Sequence, residues 1–182
     1  EEMAKKLDFP FKRNGSLVVC QNEEELSKLE ELKERGKENG VEGLRILTRE
    51  EALELEPALA DSVYAALYAP TGGIVCPFLM NIAYAENAAI NGVKFQFGTC
   101  VQDIQRCHQV SGFEVITNQG TLYSKYVINA AGVYADEIHN MVSEKKLHIT
   151  PRRGEYCLLD KNAGTLVSHT IFQVPGEMGK GV

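Results

Sequence analysis

The run YVINAAGVYAD, residues 126–136, constrains the chain more than any other stretch. It starts as an apolar strand (Tyr126, Val127, Ile128) and passes through residues without bulk (Ala130, Ala131, Gly132). It continues as a helix over 133–142 with Ile138, Met141 and Val142 on its apolar face. A strand that becomes a helix over small residues lets another group approach the backbone closely. The helix start adds unpaired N–H groups and a positive dipole end, which suits a phosphate. Small residues also serve plain packing in any strand-to-helix connection, and the stretch alone leaves both readings open.

Composition narrows the classes. With 182 residues, 44% hydrophobic and 24% charged, the chain has material for one or two cores. A net charge of -6 and no Lys/Arg cluster exclude a nucleic-acid surface. No apolar run approaches the roughly 20 residues that span a bilayer. Five cysteines lack any CxxC pair and read as reduced thiols of a cytoplasmic protein; peripheral association with a membrane is compatible with this. The four histidines form neither HxH nor HExxH, so no metal is expected. EEMAKKLDF reads as the tail of a helix, from which we expect a piece excised from a longer protein.

Along the chain, Asn14-Gly15 signals a turn into the strand SLVVCQ. Asn22 caps a helix rich in Glu that runs to about Asn39 and stops at Gly40, with Leu26, Leu29 and Leu32 as its stripe. Glu24–Lys28 and Glu31–Arg35 are spaced as ion pairs on its solvated side. LRIL reads as a strand, Thr48 and Glu51 as a capping box, and VYAALYAP as a third strand. Pro77 opens a long helix closed by Gly92, its broad buried side carrying Phe78, Leu79, Ile82, Ala83, Ala89 and Ile90. From Lys94 the period becomes two: KFQFG, CVQDIQRC, GFEVIT and TLYS form an antiparallel meander leading into 126–136. EYCLLD and LVSHTIFQVP are later strands. The fold class read from this order is α+β.

No GxGxxG or GxxxxGK[ST] occurs, and GEMGKG (176–181) reads as a turn. In PRRGEY, Arg152 and Arg153 stand between a proline and a glycine, where an arginine can clamp a carboxylate or phosphate or simply be solvated. Ser-His-Asp and Cys-His groupings have no spacing in their favour.

Together these segments carry a resemblance. YVINAAGVYAD resembles the closing strand–turn–helix of the FAD domain in the D-amino-acid-oxidase-like flavoprotein superfamily. TGGIVCP with its helix and NGVKFQFGTCVQDI resemble that superfamily's passage from substrate to flavin domain. PRRGEYCLLD with HTIFQVPGEMGKGV resembles the branch of anaerobic-type glycerol-3-phosphate dehydrogenases and L-2-hydroxyglutarate oxidases. The resemblance implies an antiparallel-sheet substrate domain interwoven with part of an FAD-binding α/β domain. Residues 1–75 and 148–182 would form the substrate domain and 76–147 the partial FAD domain.

It also implies FAD as cofactor. Val101 would contact the adenine by its backbone, Ala130, Ala131 and Gly132 would line the pyrophosphate, and Gly154 and Arg153 would lie near the isoalloxazine and substrate. Arg153, with Arg152 as the alternative, would clamp a small anionic hydroxy substrate. Glycerol-3-phosphate is favoured over L-2-hydroxyglutarate, and the electron acceptor would be oxygen, a quinone or a partner protein. Cys76 departs from the acidic or hydroxyl residue common before Pro77. The glycine-rich βαβ unit, the closing C-terminal segment and the basic residue assisting oxidation are expected outside these residues. Taken alone, the chain would be a non-catalytic domain without flavin.

Overall fold

The computed structural model describes residues 1–107 and 111–176; GEMGKG beyond Gly176, and His108, lie outside the described residues. In chain order the elements are α1 (Glu2–Leu7), β1 (Phe11–Lys12), β2 (Ser16–Cys20), α2 (Leu26–Glu38), β3 (Arg45–Thr48), α3 (Arg49–Leu55) and β4 (Ala65–Ala69). There follow β5 (Ile74–Val75), α4 (Pro77–Ile90), β6 (Val101–Arg106), β7 (Phe113–Thr117), β8 (Gly120–Ser124), α5 (Ala135–Val142) and β9 (Thr170–Gln173). Two compact units result: Glu1–Gly92 with the described part of Leu158–Val182, and Val93–Cys157 between them in sequence. The class is α+β, and the first unit is built from two separated stretches of chain.

The first unit centres on the sheet β3-β4-β2-β9. β2 and β3 pair antiparallel with β4, while β9 joins β2 in parallel, Leu17 opposite Ile171. A parallel neighbour cannot be reached by a hairpin, and here the chain between β2 and β9 runs through the rest of the first unit's first stretch and the whole of the second unit. Alternation sends Leu17, Val19, Leu47 and Ala66 to one face, where Ala52 and Leu55 of α3 cover them. Cys20, Ala65 and Leu67 face the other way onto Leu29 and Leu32 of α2.

The local signals act as expected. Asn22 accepts the Glu25 N–H at 3.0 Å ahead of a 3₁₀ turn and α2. Thr48 and Glu51 close a reciprocal capping box. Gly40 and Gly92 end α2 and α4 in the left-handed region. On α2 the ion pair that forms is Glu34–Lys37.

α4 differs from its sequence expectation: none of its residues is buried, and Phe78, Leu79, Ile82 and Ile90 are exposed. Within its unit, Tyr84 meets Phe9 at 6.1 Å between ring centroids. A broad apolar stripe identifies a face able to be covered and does not supply the cover.

The second unit is the meander β6-β7-β8, with α5 against β6 and Ile104 buried. Three expected strands are absent. Residues 94–98, 126–130 and 155–160 join no ladder, and Tyr126 and Ile128 are 83% and 91% exposed. β-propensity is realised only where a neighbouring strand accepts the backbone hydrogen bonds, and these segments have none among the described residues.

Candidate functional site

The turn between 126–130 and α5 is held by Asn129. Its Oδ1 accepts the Ala131 N–H at 3.2 Å, and its Nδ2 donates to the Ala135 carbonyl at 2.7 Å. Gly132 takes φ +58°, with open space where a Cβ would stand, and starts a 3₁₀ turn (Gly132–Tyr134). α5 therefore begins at Ala135, two residues later than the pattern indicated, because this turn precedes it. Ala130, Ala131 and Gly132 are all exposed, and the Ala131 amide is already engaged by Asn129. Asn129 was missed in the sequence reading; an Asn directly before a small-residue turn is an Asx-turn signal that could have identified it.

Val101 opens β6 opposite Thr117, at a register irregularity ending at Asp103. The approach to it is fixed by the 118–120 turn. Asn118 accepts the Cys100 N–H at 2.7 Å and donates to the Gly98 carbonyl at 3.1 Å, and Gln119 donates to the same carbonyl. Gly98 sits at φ +65°, where a side chain would be strained. Both backbone segments selected by the resemblance are thus preformed by local Asn side chains.

Arg152, Arg153 and Gly154 lie on an exposed stretch without regular structure. Arg153 Nη2 meets Glu155 Oε1 at 3.1 Å, both side chains open to water. Such a pair holds its members only weakly, so the guanidinium can exchange Glu155 for another anion. Asp136, at the end of the same motif, is buried: Oδ1 accepts from Glu137 N–H and Oδ2 from Ile149 N–H at 2.8 Å. The Ile149 bond holds its carboxyl below the usual range against the opposing effect of burial, with Glu137 N–H and the nearby His148 acting in the same direction.

In the first unit the structure assembles a group that the sequence reading passed over. Glu56, 1% exposed, presents Oε1 to four donors: the Ser168 N–H and Oγ–H, the His169 N–H at 2.6 Å and His169 Nδ1–H at 2.6 Å. Burial pushes this carboxyl up, but the bonds from Ser168 and His169 outweigh it and leave Glu56 below the ordinary carboxylate range. This is not a nucleophile triad. Nδ1, the ring nitrogen 3.1 Å from Ser168 Oγ, donates its proton to Glu56 and has no lone pair left to act as base toward the hydroxyl. The partners are 112 residues apart, and no local pattern could have joined them.

A cleft of about 720 Å³ in the first unit is lined by Leu26, Ile46, Arg49, Asp61 and Tyr64 among others, and contains none of the residues chosen above. Among the described residues no His/Cys/Asp/Glu cluster suits a metal ion, and no helix is long and apolar enough to cross a membrane.

Comparison with known proteins supplies the remaining findings. The family model described as DAO, FAD dependent oxidoreductase, matches residues 1–182. The chain is 48% identical over its whole length to a glycerol 3-phosphate dehydrogenase of Caloramator mitchellensis, of which it covers 38%. It is 34% identical over 92% of its length to an L-2-hydroxyglutarate dehydrogenase of Indibacter alkaliphilus, covering 42% of that protein. In structure it resembles the dithionite-reduced L-alpha-glycerophosphate oxidase of Mycoplasma pneumoniae with FAD bound. The TM-score is 0.76 at 28% identity, covering 96% of this chain and 46% of the other. The chain thus spans less than half the length of each of these proteins.

Proposed function

This chain belongs to the DAO family of FAD-dependent oxidoreductases, and on that premise we propose that the whole protein oxidises glycerol-3-phosphate at its secondary alcohol, with FAD as hydride acceptor. The observation that carries the substrate choice is the 48% identity, over all 182 residues, to a glycerol 3-phosphate dehydrogenase. L-2-hydroxyglutarate is the second reading, favoured by the 34% identity to a dehydrogenase of that name. In this reading residues 1–75 and 148–182 act as substrate domain and residues 76–147 as part of the FAD domain.

The described residues of this part fit a dinucleotide. The 130–132 turn carries no side chain larger than a methyl group, and its backbone is exposed. The one buried acid of the motif, Asp136, is turned onto Ile149 N–H. Ala130, Ala131 and Gly132 would lie along the pyrophosphate and Val101 along the adenine; a carboxylate facing that turn would repel the phosphates. When bound, FAD supplies the two-electron acceptor that no protein side chain offers.

The task of this chain is then orientation. Arg153 holds the substrate's phosphate or carboxylate in a forked, charge-assisted contact, releasing Glu155, and Gly154 leaves room beside it. Arg152 is the alternative clamp. Scattered free thiols suit a cytoplasmic protein, peripheral at the membrane if its electrons pass to a quinone. Steady-state assays of the whole protein with glycerol-3-phosphate and L-2-hydroxyglutarate separate the two substrates, and failure of both to reduce the flavin rejects the branch. Arg153→Ala should raise KM at least tenfold; an unchanged KM rejects the clamp.

A further inference from the structure

α5 does more than follow the cofactor turn: it holds the next segment by a ladder of side chains. Asp136 accepts from Ile149 N–H at 2.8 Å. Asn140 makes a two-way contact with Leu147, accepting its N–H at 2.9 Å and donating to its carbonyl at 2.8 Å. His139 and Ser143 both donate to the Lys145 carbonyl. Helix positions 136 and 140, and the C-cap residue Ser143, therefore meet residues 149, 147 and 145, running in the opposite direction.

The spacings explain why this works. Four residues of helix rise about 6 Å, and two residues of extended chain about 6.6 Å, so the step from Asp136 to Asn140 matches the step from Ile149 back to Leu147. Asn140 supplies to Leu147 the donor and acceptor that a neighbouring strand would otherwise give. The segment is led back from the C-terminal end of α5 to its start. There Val133 and Tyr134, next to the cofactor turn, share a cleft of about 430 Å³ with Ile149 and Pro151. Arg152 and Arg153 follow Pro151 directly.

We infer that Asp136 and Asn140 are positioning residues which set the place of the Arg152–Arg153 anion clamp relative to the Ala130–Gly132 turn. The inference rests on the reading of Arg153 as the clamp. Energetically the ladder makes sense because the segment joins no strand among the described residues. Leu147 and His148 are exposed, and an extended chain without a strand neighbour leaves its peptide groups to water.

The test uses the whole protein with bound flavin and glycerol-3-phosphate or L-2-hydroxyglutarate, whichever reduces it. Asn140→Ala should release the Leu147 amide to hydrogen exchange and raise KM about tenfold while kcat changes less than twofold. Asn140→Asp, which keeps the acceptor for Leu147 N–H and loses the donor, should fall between. Asp136→Asn, the same size but with one oxygen replaced by a donor, should expose the Ile149 amide and raise KM similarly. Near-ultraviolet circular dichroism of the Asn140→Asp protein confirms that the comparison is made on folded enzyme. A released Leu147 amide with unchanged KM overturns the positioning role, and a Leu147 amide still protected in Asn140→Ala overturns the ladder. With Arg153→Ala in the same series the two readings separate. Raised KM there beside normal KM in Asn140→Ala sinks only the positioning, whereas normal KM in Arg153→Ala sinks the clamp itself.

Discussion

The two units solve the problem of a half-apolar sheet differently. In the first, β3-β4-β2-β9 has a helix on each face, and Leu17 and Leu29 have no exposed surface. In the second, α5 covers one side of a three-stranded meander, Leu122 and Tyr123 of β8 stay exposed, and Ile104 is its buried aliphatic residue among those described. Polar side chains take over much of the ordering there: Asn118, Asn129, Asp136 and Asn140 each hold backbone groups of a neighbouring segment. A unit organised by apolar burial resists change in proportion to the area it removes from water. One organised by exposed hydrogen bonds holds backbone in place at little net stability.

The comparison can be broken most sharply through the cofactor. If the second unit supplies only part of the cofactor site, this 182-residue chain, which contains no GxGxxG, should purify colourless. A flavin absorbance near one equivalent would show that the exposed turn binds FAD by itself.

The next largest effect belongs to the first unit's core. Leu17→Ala should lower unfolding stability by roughly 2–5 kcal/mol, read as a shifted denaturant midpoint at constant slope. A loss below about 1 kcal/mol, the scale of surface changes, would mean that the sheet is less tightly closed than its burial indicates.

Glu56 tests whether the first unit also depends on a buried polar lock. Glu56→Ala leaves Ser168 and His169 donors without their acceptor and should cost about 3 kcal/mol. Because the folded carboxyl lies below its ordinary range, its contribution is complete above the ordinary carboxylate value and is lost as pH falls through the lowered one. Thermal melts of the parent and Glu56→Ala proteins should therefore converge in acid, and a gap that stays constant from pH 7 to pH 3 would contradict the lock.

The smallest effect is local. Gly15 sits at φ +70°, and a Cβ there would come within 3.0 Å of His169 Cδ2 and 3.1 Å of the Tyr68 ring. Gly15→Ala should cost about 1–2 kcal/mol from the left-handed backbone alone, measured by the same melts. A neutral result would indicate that the His169–Tyr68 edge contact yields easily.

Short-range physics made much of this fold legible. The Asn22 cap, the Thr48–Glu51 box, Pro77 at a helix start and the glycines closing α2 and α4 each depend on residues within one turn of each other. The meander followed from period-two alternation. For the site, the small-residue turn and the arginine pair were visible in the sequence as motifs, and family membership followed from their order along the chain. Their supports were not visible, since Asn140 meets Leu147 only once the chain has reversed beyond α5.

What the sequence determined alone was the capped helix starts, the α+β class and the family, because caps, periods and motifs are properties of neighbouring residues. Tertiary structure decided which of the expected elements found partners. Tyr126–Ile128 has the composition of a strand and forms none, and the apolar stripe of α4 has no cover among the described residues. Glu56 joins residues 112 positions away into a four-donor lock. A hydrogen-bond ladder or a buried carboxylate belongs to two segments at once, and the sequence of either one specifies only half of it.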